Sequence, residues 1–280
     1  MSKLIVFTDL DGTLLDAITY SFGKAIPALR LLDDWGIPLI CCSSKTRPEI
    51  EHYRALMRNH HPFVTENGGG IFIPHGYFPA VSKPAEIPLE HDVYYEVMTL
   101  GTCYSTLRKV LCELRDMGFA VRGFGDMTVE EVAEVTGLGR DESEMAKERH
   151  FDEPFLYDGP EDGIDELVSA VEAKGLHVTQ GQFFHILGNN DKGKAVAILT
   201  EMYEKMLGKV MTVGLGDSPN DLPMLQQVDY PIIVHRKDGR HHPRIDVPRM
   251  IRADGIGPEG WNAAMLQLLE KVKNGEGAGR

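Results

Sequence analysis

The chain has 280 residues, 42% apolar and 25% charged, the balance of a globular protein with one large or two ordinary domains. Lys plus Arg number 29 against 42 Asp plus Glu, a net charge of −13. A surface this acidic repels nucleic acid and anionic membrane, so any anionic ligand must be held by a local cationic group. No apolar run approaches a bilayer span, and the N-terminal one is too short for a signal peptide. Four cysteines, Cys41, Cys42, Cys103 and Cys112, show no Cys-x-x-Cys spacing and read as reduced thiols, Cys41 and Cys42 as buried small hydrophobes. A reducing, cytoplasmic location is expected.

Residues 4–7, Leu-Ile-Val-Phe, predict a short strand buried at the centre of a parallel sheet. The string Asp9-Leu10-Asp11-Gly12-Thr13-Leu14-Leu15 follows, with Gly12 able to turn the backbone. Two carboxylates therefore stand at a strand's C-terminal end, where open α/β sheets bind ligands. One carboxylate can attack phosphorus, while its neighbour, with a pKa raised by the like charge, can serve as an acid. A hard cation such as Mg²⁺ suits an all-oxygen site of this kind. Taken alone, an Asp-x-Asp pair reads equally well as turn or helix-cap aspartates.

Residues 19–35 carry Phe22, Ile26, Leu29, Leu32 and Trp35 at helical spacing, and 37–42 form a second apolar run, giving a right-handed βαβ unit. That run ends in Ser43-Ser44-Lys45-Thr46-Arg47, just before a helix expected over 48–58. Hydroxyls and cations there are either a phosphate contact or a capping string. A third strand is expected over 63–65. Glu66-Asn67-Gly68-Gly69-Gly70 then makes a plain hairpin or a close backbone approach into 71–74. Prolines 79, 84 and 88 mark a linker. Helices are expected over 102–117, 128–136 and 161–174, with strands at 92–97, 118–124, 153–157, 176–179 and 183–187. Asp141-Glu142-Ser143-Glu144 reads as a solvated face. The segment 84–187 is thus a self-contained α+β insertion into a core formed by 1–83 and 188–280.

Lys192 lies in a string that leads into a helix expected over 195–207. A cation is poorly placed against the dipole there and needs a phosphate, a carboxylate or solvent to accommodate it; Lys194 reads as exposed. A strand over 210–215 ends in Gly216-Asp217-Ser218-Pro219-Asn220-Asp221. A capping box explains Ser218 and Asp221 but not Asp217. Residues 235–244, with His241 and His242 adjacent, read as a basic surface loop. Residues 261–273 form a last amphipathic helix, and 275–280 a disordered tail.

Together, the Asp9–Asp11 string, Ser43, Lys192 and the Asp217–Asp221 string resemble the four motifs of the haloacid dehalogenase-like (HAD) phosphatases, in order and at strand ends. The resemblance implies an α/β, Rossmannoid parallel-sheet core with an inserted C2B-type α+β cap. It makes Asp9 the nucleophile, Asp11 the general acid/base, and Ser43 and Lys192 the groups that grip the phosphate. Mg²⁺ would be held by Asp9, the Asp11 backbone carbonyl and Asp217, with Asp221 as a ligand or as orienter of its water.

Cys42-Ser43-Ser44-Lys45-Thr46-Arg47, residues 66–74, Gly76-Tyr77-Phe78-Pro79, residues 128–137, Met145-Ala146-Lys147-Glu148-Arg149 and residues 188–194 further resemble the mannosyl-3-phosphoglycerate phosphatase family. That likeness implies hydrolysis of mannosyl-3-phosphoglycerate to mannosylglycerate and phosphate. Ser43, Ser44, Lys45, Asn67, Gly68, Arg149, Gln182 and Asn220 are then the expected substrate contacts. One departure stands out: where that family often carries a basic residue in a Gly-x-Arg-Phe sequence, the string here is Gly181-Gln182-Phe183-Phe184, and Gln182 lacks the charge an Arg would offer a carboxylate. Arg122 and Arg149 are the cations that could replace it. The glucosyl analogue, another sugar phosphate, a mutase reaction and an inactive HAD scaffold used as a binding module are the alternatives.

Overall fold

The computed structural model describes residues 3–80 and 89–274. The chain forms two compact units. The first comprises Met1–Cys42, Gly76–Ala85 and Val196–Arg280; the second comprises Ser43–His75 and Glu86–Ala195. Of the expected linker and tail, Pro84, Pro88, the 83/84 boundary and residues 275–280 lie outside the described residues. Among the described residues no helix is long and apolar enough to cross a membrane.

The first unit is built on a five-stranded sheet in the order β13-β12-β11-β1-β2, parallel throughout. Its strands are β1 (Lys3–Thr8), β2 (Leu39–Cys41), β11 (Val210–Gly216), β12 (Tyr230–His235) and β13 (Ile251–Ile256). β1 lies between β11 and β2, paired with β11 from Lys3–Val210 to Thr8–Leu215. Ile5, Val6 and Phe7 are fully buried, as an all-apolar run in a sheet covered on both faces requires. Helices α1 (Ile26–Asp34), α8 (Leu222–Gln227) and α9 (Pro258–Lys273) belong to this unit, and α7 (Lys192–Leu207) enters it after its first turn.

α1 is shorter than the 19–35 helix expected. Asp16 Oδ1 accepts the N–H groups of Ile18 and Thr19, Tyr20 has a positive φ of 54°, and a 3-10 turn over Gly23–Ala25 precedes the helix. Pro27 then occupies the first helical turn, where its missing N–H costs nothing.

The second unit carries two antiparallel sheets of four strands each. The first has the order β3-β4-β6-β5, from β3 (Phe63–Thr65), β4 (Gly70–Pro74), β5 (Leu89–His91) and β6 (Tyr95–Thr99). Pairing of β4 with β6, from Gly70–Thr99 to Pro74–Tyr95, ties the 63–74 hairpin to the segment that follows. This is why residues 43–75 fall in the same unit as most of 84–187. The other sheet has the order β7-β8-β10-β9, from β7 (Val121–Gly123), β8 (Asp152–Tyr157), β9 (His177–Gln180) and β10 (Phe184–Leu187). α3 (Tyr104–Asp116) and α6 (Ile164–Glu172) pack on it through Leu107, Leu111, Leu167 and Val171 against Phe155 and Ile186.

α2 (Arg47–Leu56) is capped by Thr46, whose N–H and hydroxyl both reach Glu49 Oε2 at 2.9 Å. α4 (Val129–Thr136) ends at Gly137 in the left-handed conformation. The charged stretch read as a solvated face forms a helix, α5 (Arg140–Ala146), whose small residues Ser143 and Ala146 are buried three positions apart.

Candidate active site

In the first unit, β1 delivers Asp9 and β11 delivers Asp217. The Asp9 N–H donates to Leu215 O at 2.9 Å, continuing the β1–β11 ladder by one residue. Thr8 fixes this strand end: its buried hydroxyl donates to Asp9 O at 2.7 Å and accepts the Trp261 indole N–H at 3.0 Å. Asp11 lies half-buried in the turn that follows, where Gly12, φ +77°, donates its N–H to Leu15 O. A Cβ on Gly12 would stand 2.8 Å from Asp217 Oδ2, so glycine is required for both conformation and space.

Asp9, Asp217 and Asp221 are buried, and each offers a carboxylate oxygen within 4.8 Å of the others. Asp221 Oδ2 accepts the N–H groups of Asp217 and Ser218 at 2.9 and 3.0 Å, while the Ser218 hydroxyl donates to Asp217 Oδ1 at 2.7 Å. The capping arrangement expected for Ser218 and Asp221 thus also orients Asp217. Asn220 is buried in the same turn.

The second unit contains the other expected residues. Ser43 is fully buried; its N–H donates to Val64 O and its carbonyl accepts the Asn67 N–H at 3.0 Å. Ser43 Oγ accepts the Lys45 N–H at 3.2 Å, and Lys45 Nζ pairs with Glu49 at 2.9 Å in a buried contact. Asn67 has φ +54° and donates from Nδ2 to Asp152 Oδ2 at 2.6 Å. At Gly68, φ +88°, a Cβ would lie 2.1 Å from Asp191 O. The 66–68 turn is therefore a close backbone approach as well as a hairpin. Asn190 adds to it, donating to Asn67 O at 3.2 Å.

Lys192, the first residue of α7, is fully buried, whereas Lys194 is exposed and bonds Asn189 Oδ1 at 2.7 Å. Arg149 is buried; its guanidinium donates to Ser44 O at 2.7 Å and lies 3.5 Å from Asp152. Arg122, the other candidate cation, pairs with Glu131 at the surface. Gln182 is exposed in the turn between β9 and β10.

Three residues to which the sequence assigns no role organise these loops. Glu66 accepts the N–H groups of His150, Phe151 and Asp152 at 2.7 to 3.1 Å. Burial pushes its carboxyl up to about 7, against the opposing pull of Arg149. Asp152, fully buried, is held below the usual carboxylate range: burial opposes its charge, but His185, Arg149 and the Asn67 amide outweigh it. His185 Nδ1 lies 2.8 Å from Asp152 Oδ1. The only sequence signal was a set of isolated polar residues within apolar strands.

Residues 130–240 match the model of the haloacid dehalogenase-like hydrolases. A glucosyl-3-phosphoglycerate/mannosyl-3-phosphoglycerate phosphatase of Methanococcoides burtonii is 46% identical over 275 residues, covering 97% of this chain and 99% of that one. The chain belongs to the haloacid dehalogenase-like phosphatases. It is a phosphoric monoester hydrolase. A mannosyl-3-phosphoglycerate phosphatase of Pyrococcus horikoshii is 37% identical, covering 89% of this chain and 99% of its own. In fold, a HAD superfamily phosphatase of Bacteroides thetaiotaomicron superposes with a TM-score of 0.65 at 17% identity, covering 96% of this chain and 95% of that one. The α/β class with a parallel sheet and an inserted cap is the one the motifs implied.

Proposed function

We propose that this phosphatase hydrolyses glycosyl-3-phosphoglycerates, the mannosyl compound and its glucosyl analogue, to the glycosylglycerate and phosphate. The observation that carries this reading is likeness over nearly the whole chain to a relative named for both substrates. A more distant relative, named for the mannosyl compound alone, supports that compound as one of the two substrates.

The buried carboxylates of Asp9, Asp217 and Asp221 form an all-oxygen donor set within one ion's reach, which fits Mg²⁺, with Asp11's carbonyl as a further donor. Bound there, Mg²⁺ would offset the repulsion between these carboxylates and an incoming phosphate. Asp9 attacks phosphorus and the bond to the glycerate oxygen breaks, leaving an aspartyl-phosphate. Asp11 donates its proton to the departing oxygen. It then takes a proton from water, whose oxygen attacks phosphorus and frees phosphate and Asp9.

The Ser43 hydroxyl donates to a phosphoryl oxygen, and the Lys192 ammonium offsets its charge. Ser43 follows β2, the strand beside β1, and Lys192 opens α7. Ser44, Lys45, Asn67 and Gly68 belong to the loops of the second unit, where the buried Arg149 acts through the Ser44 carbonyl, and Asn220 lies in the turn of Asp217 and Asp221. Gln182, exposed and uncharged, bears on the choice of sugar or glycerate.

The test is phosphate release with and without Mg²⁺ from mannosyl-3-phosphoglycerate, glucosyl-3-phosphoglycerate, 3-phosphoglycerate and hexose phosphates. The reading requires Mg²⁺-dependent turnover concentrated on the two glycosyl compounds. Preference for a simple hexose phosphate, or conversion without phosphate release, would overturn it.

A further inference from the structure

The second unit carries a cluster that the phosphatase chemistry leaves unused. β6 lies between β4 and β5, and Glu96 of β6 stands opposite Ile73 of β4 and His91 of β5. His75 comes two residues after Ile73. Its N–H donates to Tyr94 O at 3.3 Å, so the ladder extends past Pro74 and His75 shares the face of Ile73. Register alone therefore places two imidazoles and a carboxylate, from three neighbouring strands, on one face. Their ligand atoms all lie within 4.8 Å of one another. Both imidazoles are exposed and Glu96 is buried, so a carboxylate inside the fold meets two imidazoles at its surface.

His75 adds a second observation. Its Nε2 is 2.9 Å from the Asp92 carbonyl oxygen, a partner that only an N–H can satisfy. A proton is thus assigned to Nε2, which leaves Nδ1 as the nitrogen available to a metal. Metal-binding histidines are commonly oriented in this way, by a backbone carbonyl on the other ring nitrogen. Asp92 is itself braced, its carboxylate accepting two Arg47 N–H groups at 2.9 and 3.1 Å and the Tyr94 N–H at 3.0 Å. The rings of His75 and His91 are inclined by 20° with centroids 6.1 Å apart. Tetrahedral zinc needs ligand atoms about 3.4 Å apart, from bonds of about 2.1 Å, and rotation of the exposed His91 imidazole toward His75 and Glu96 supplies that adjustment.

We propose that His75, His91 and Glu96 form a transition-metal site of the zinc class that clips β4, β6 and β5 together. Two imidazoles and one carboxylate suit Zn²⁺, Ni²⁺ or Cu²⁺, whereas Mg²⁺ and Ca²⁺ prefer oxygen alone. Water completes the coordination at this exposed face. The site shares no residue with the Asp9–Asp217–Asp221 cluster.

The probe is Zn²⁺ added to the chelator-treated full chain in excess Mg²⁺, read by equilibrium dialysis with metal analysis and by the visible bands of Co²⁺ substituted for it. The wild type binds one Zn²⁺ that His75→Gln, His91→Gln and Glu96→Gln each weaken by about tenfold or more. His177→Gln, which changes an exposed histidine of β9, leaves it intact. Circular dichroism and phosphate release check that each variant folds. Equal zinc binding by the wild type and the His75→Gln and His91→Gln variants overturns the site, as does failure of the wild type to bind.

Discussion

Replacing Gly12 by alanine tests the acidic cluster without removing a carboxylate. Gly12 has φ +77°, and alanine in that region costs about 1 kcal/mol. The new Cβ would also lie 2.8 Å from Asp217 Oδ2, so the carboxylate must turn away. Doing so strains the 2.7 Å bond from Ser218 Oγ to Asp217 Oδ1, at about another 1 kcal/mol. The sum, about 2 kcal/mol, corresponds to a fall in Tm of about 4–8 °C. Gly36→Ala is the matched control: φ is +62° but nothing lies within 4 Å of its Cβ, so only the conformational cost applies, about 1 kcal/mol. Thermal unfolding and phosphate release, each across a Mg²⁺ series, separate the two. Gly12→Ala loses about tenfold or more in kcat and needs more Mg²⁺, because a shift of a few tenths of an ångström displaces a carboxylate of the proposed metal site; Gly36→Ala keeps both. Wild-type kcat and Mg²⁺ response in Gly12→Ala would refute the cluster's role.

Two further outcomes follow from buried groups. Thr8→Val deprives Asp9 O of its hydroxyl donor and the buried Trp261 N–H of its acceptor, at a cost of about 1–3 kcal/mol in stability and a lower kcat; an unchanged urea midpoint would contradict the anchoring role. Glu66, raised by burial to about 7, binds a proton in the fold that the unfolded chain releases near its ordinary value. Its contribution is therefore complete at acid pH and is lost as pH rises through about 7, so between about pH 5 and about pH 8 the wild type loses more stability than Glu66→Gln; parallel urea profiles would contradict this.

What the sequence disclosed follows from how local the signals are. β1 and β11 are apolar runs closed by Asp9 and Asp217, so strand and chemistry announce each other. β12 contains Pro231, and the edge strand β13 reads Ile-Arg-Ala-Asp-Gly-Ile, so neither stood out as a strand. α5 escaped because only Ser143 and Ala146, both small, mark its buried face. The Glu66–Arg149–Asp152–His185 network and the His75–His91–Glu96 cluster were invisible for a different reason. Their members are brought together by antiparallel register and by loop packing, which no helical or strand period encodes. Arg149 shows the limit: its residue type suggested a cation for the substrate, while its burial commits the guanidinium to Ser44 O and Asp152.

In the proposed reaction Asp9 carries the phosphoryl group during turnover. Wild-type enzyme turning over mannosyl-3-phosphoglycerate should be quenched in acid, digested and searched by mass for a phosphoryl adduct, alongside Asp9→Asn. The expected result is the adduct on the peptide bearing Asp9, none in the variant, and phosphate release from the variant reduced on the order of a thousandfold in an intact fold. An adduct on another residue, or near-normal release by Asp9→Asn, would contradict it.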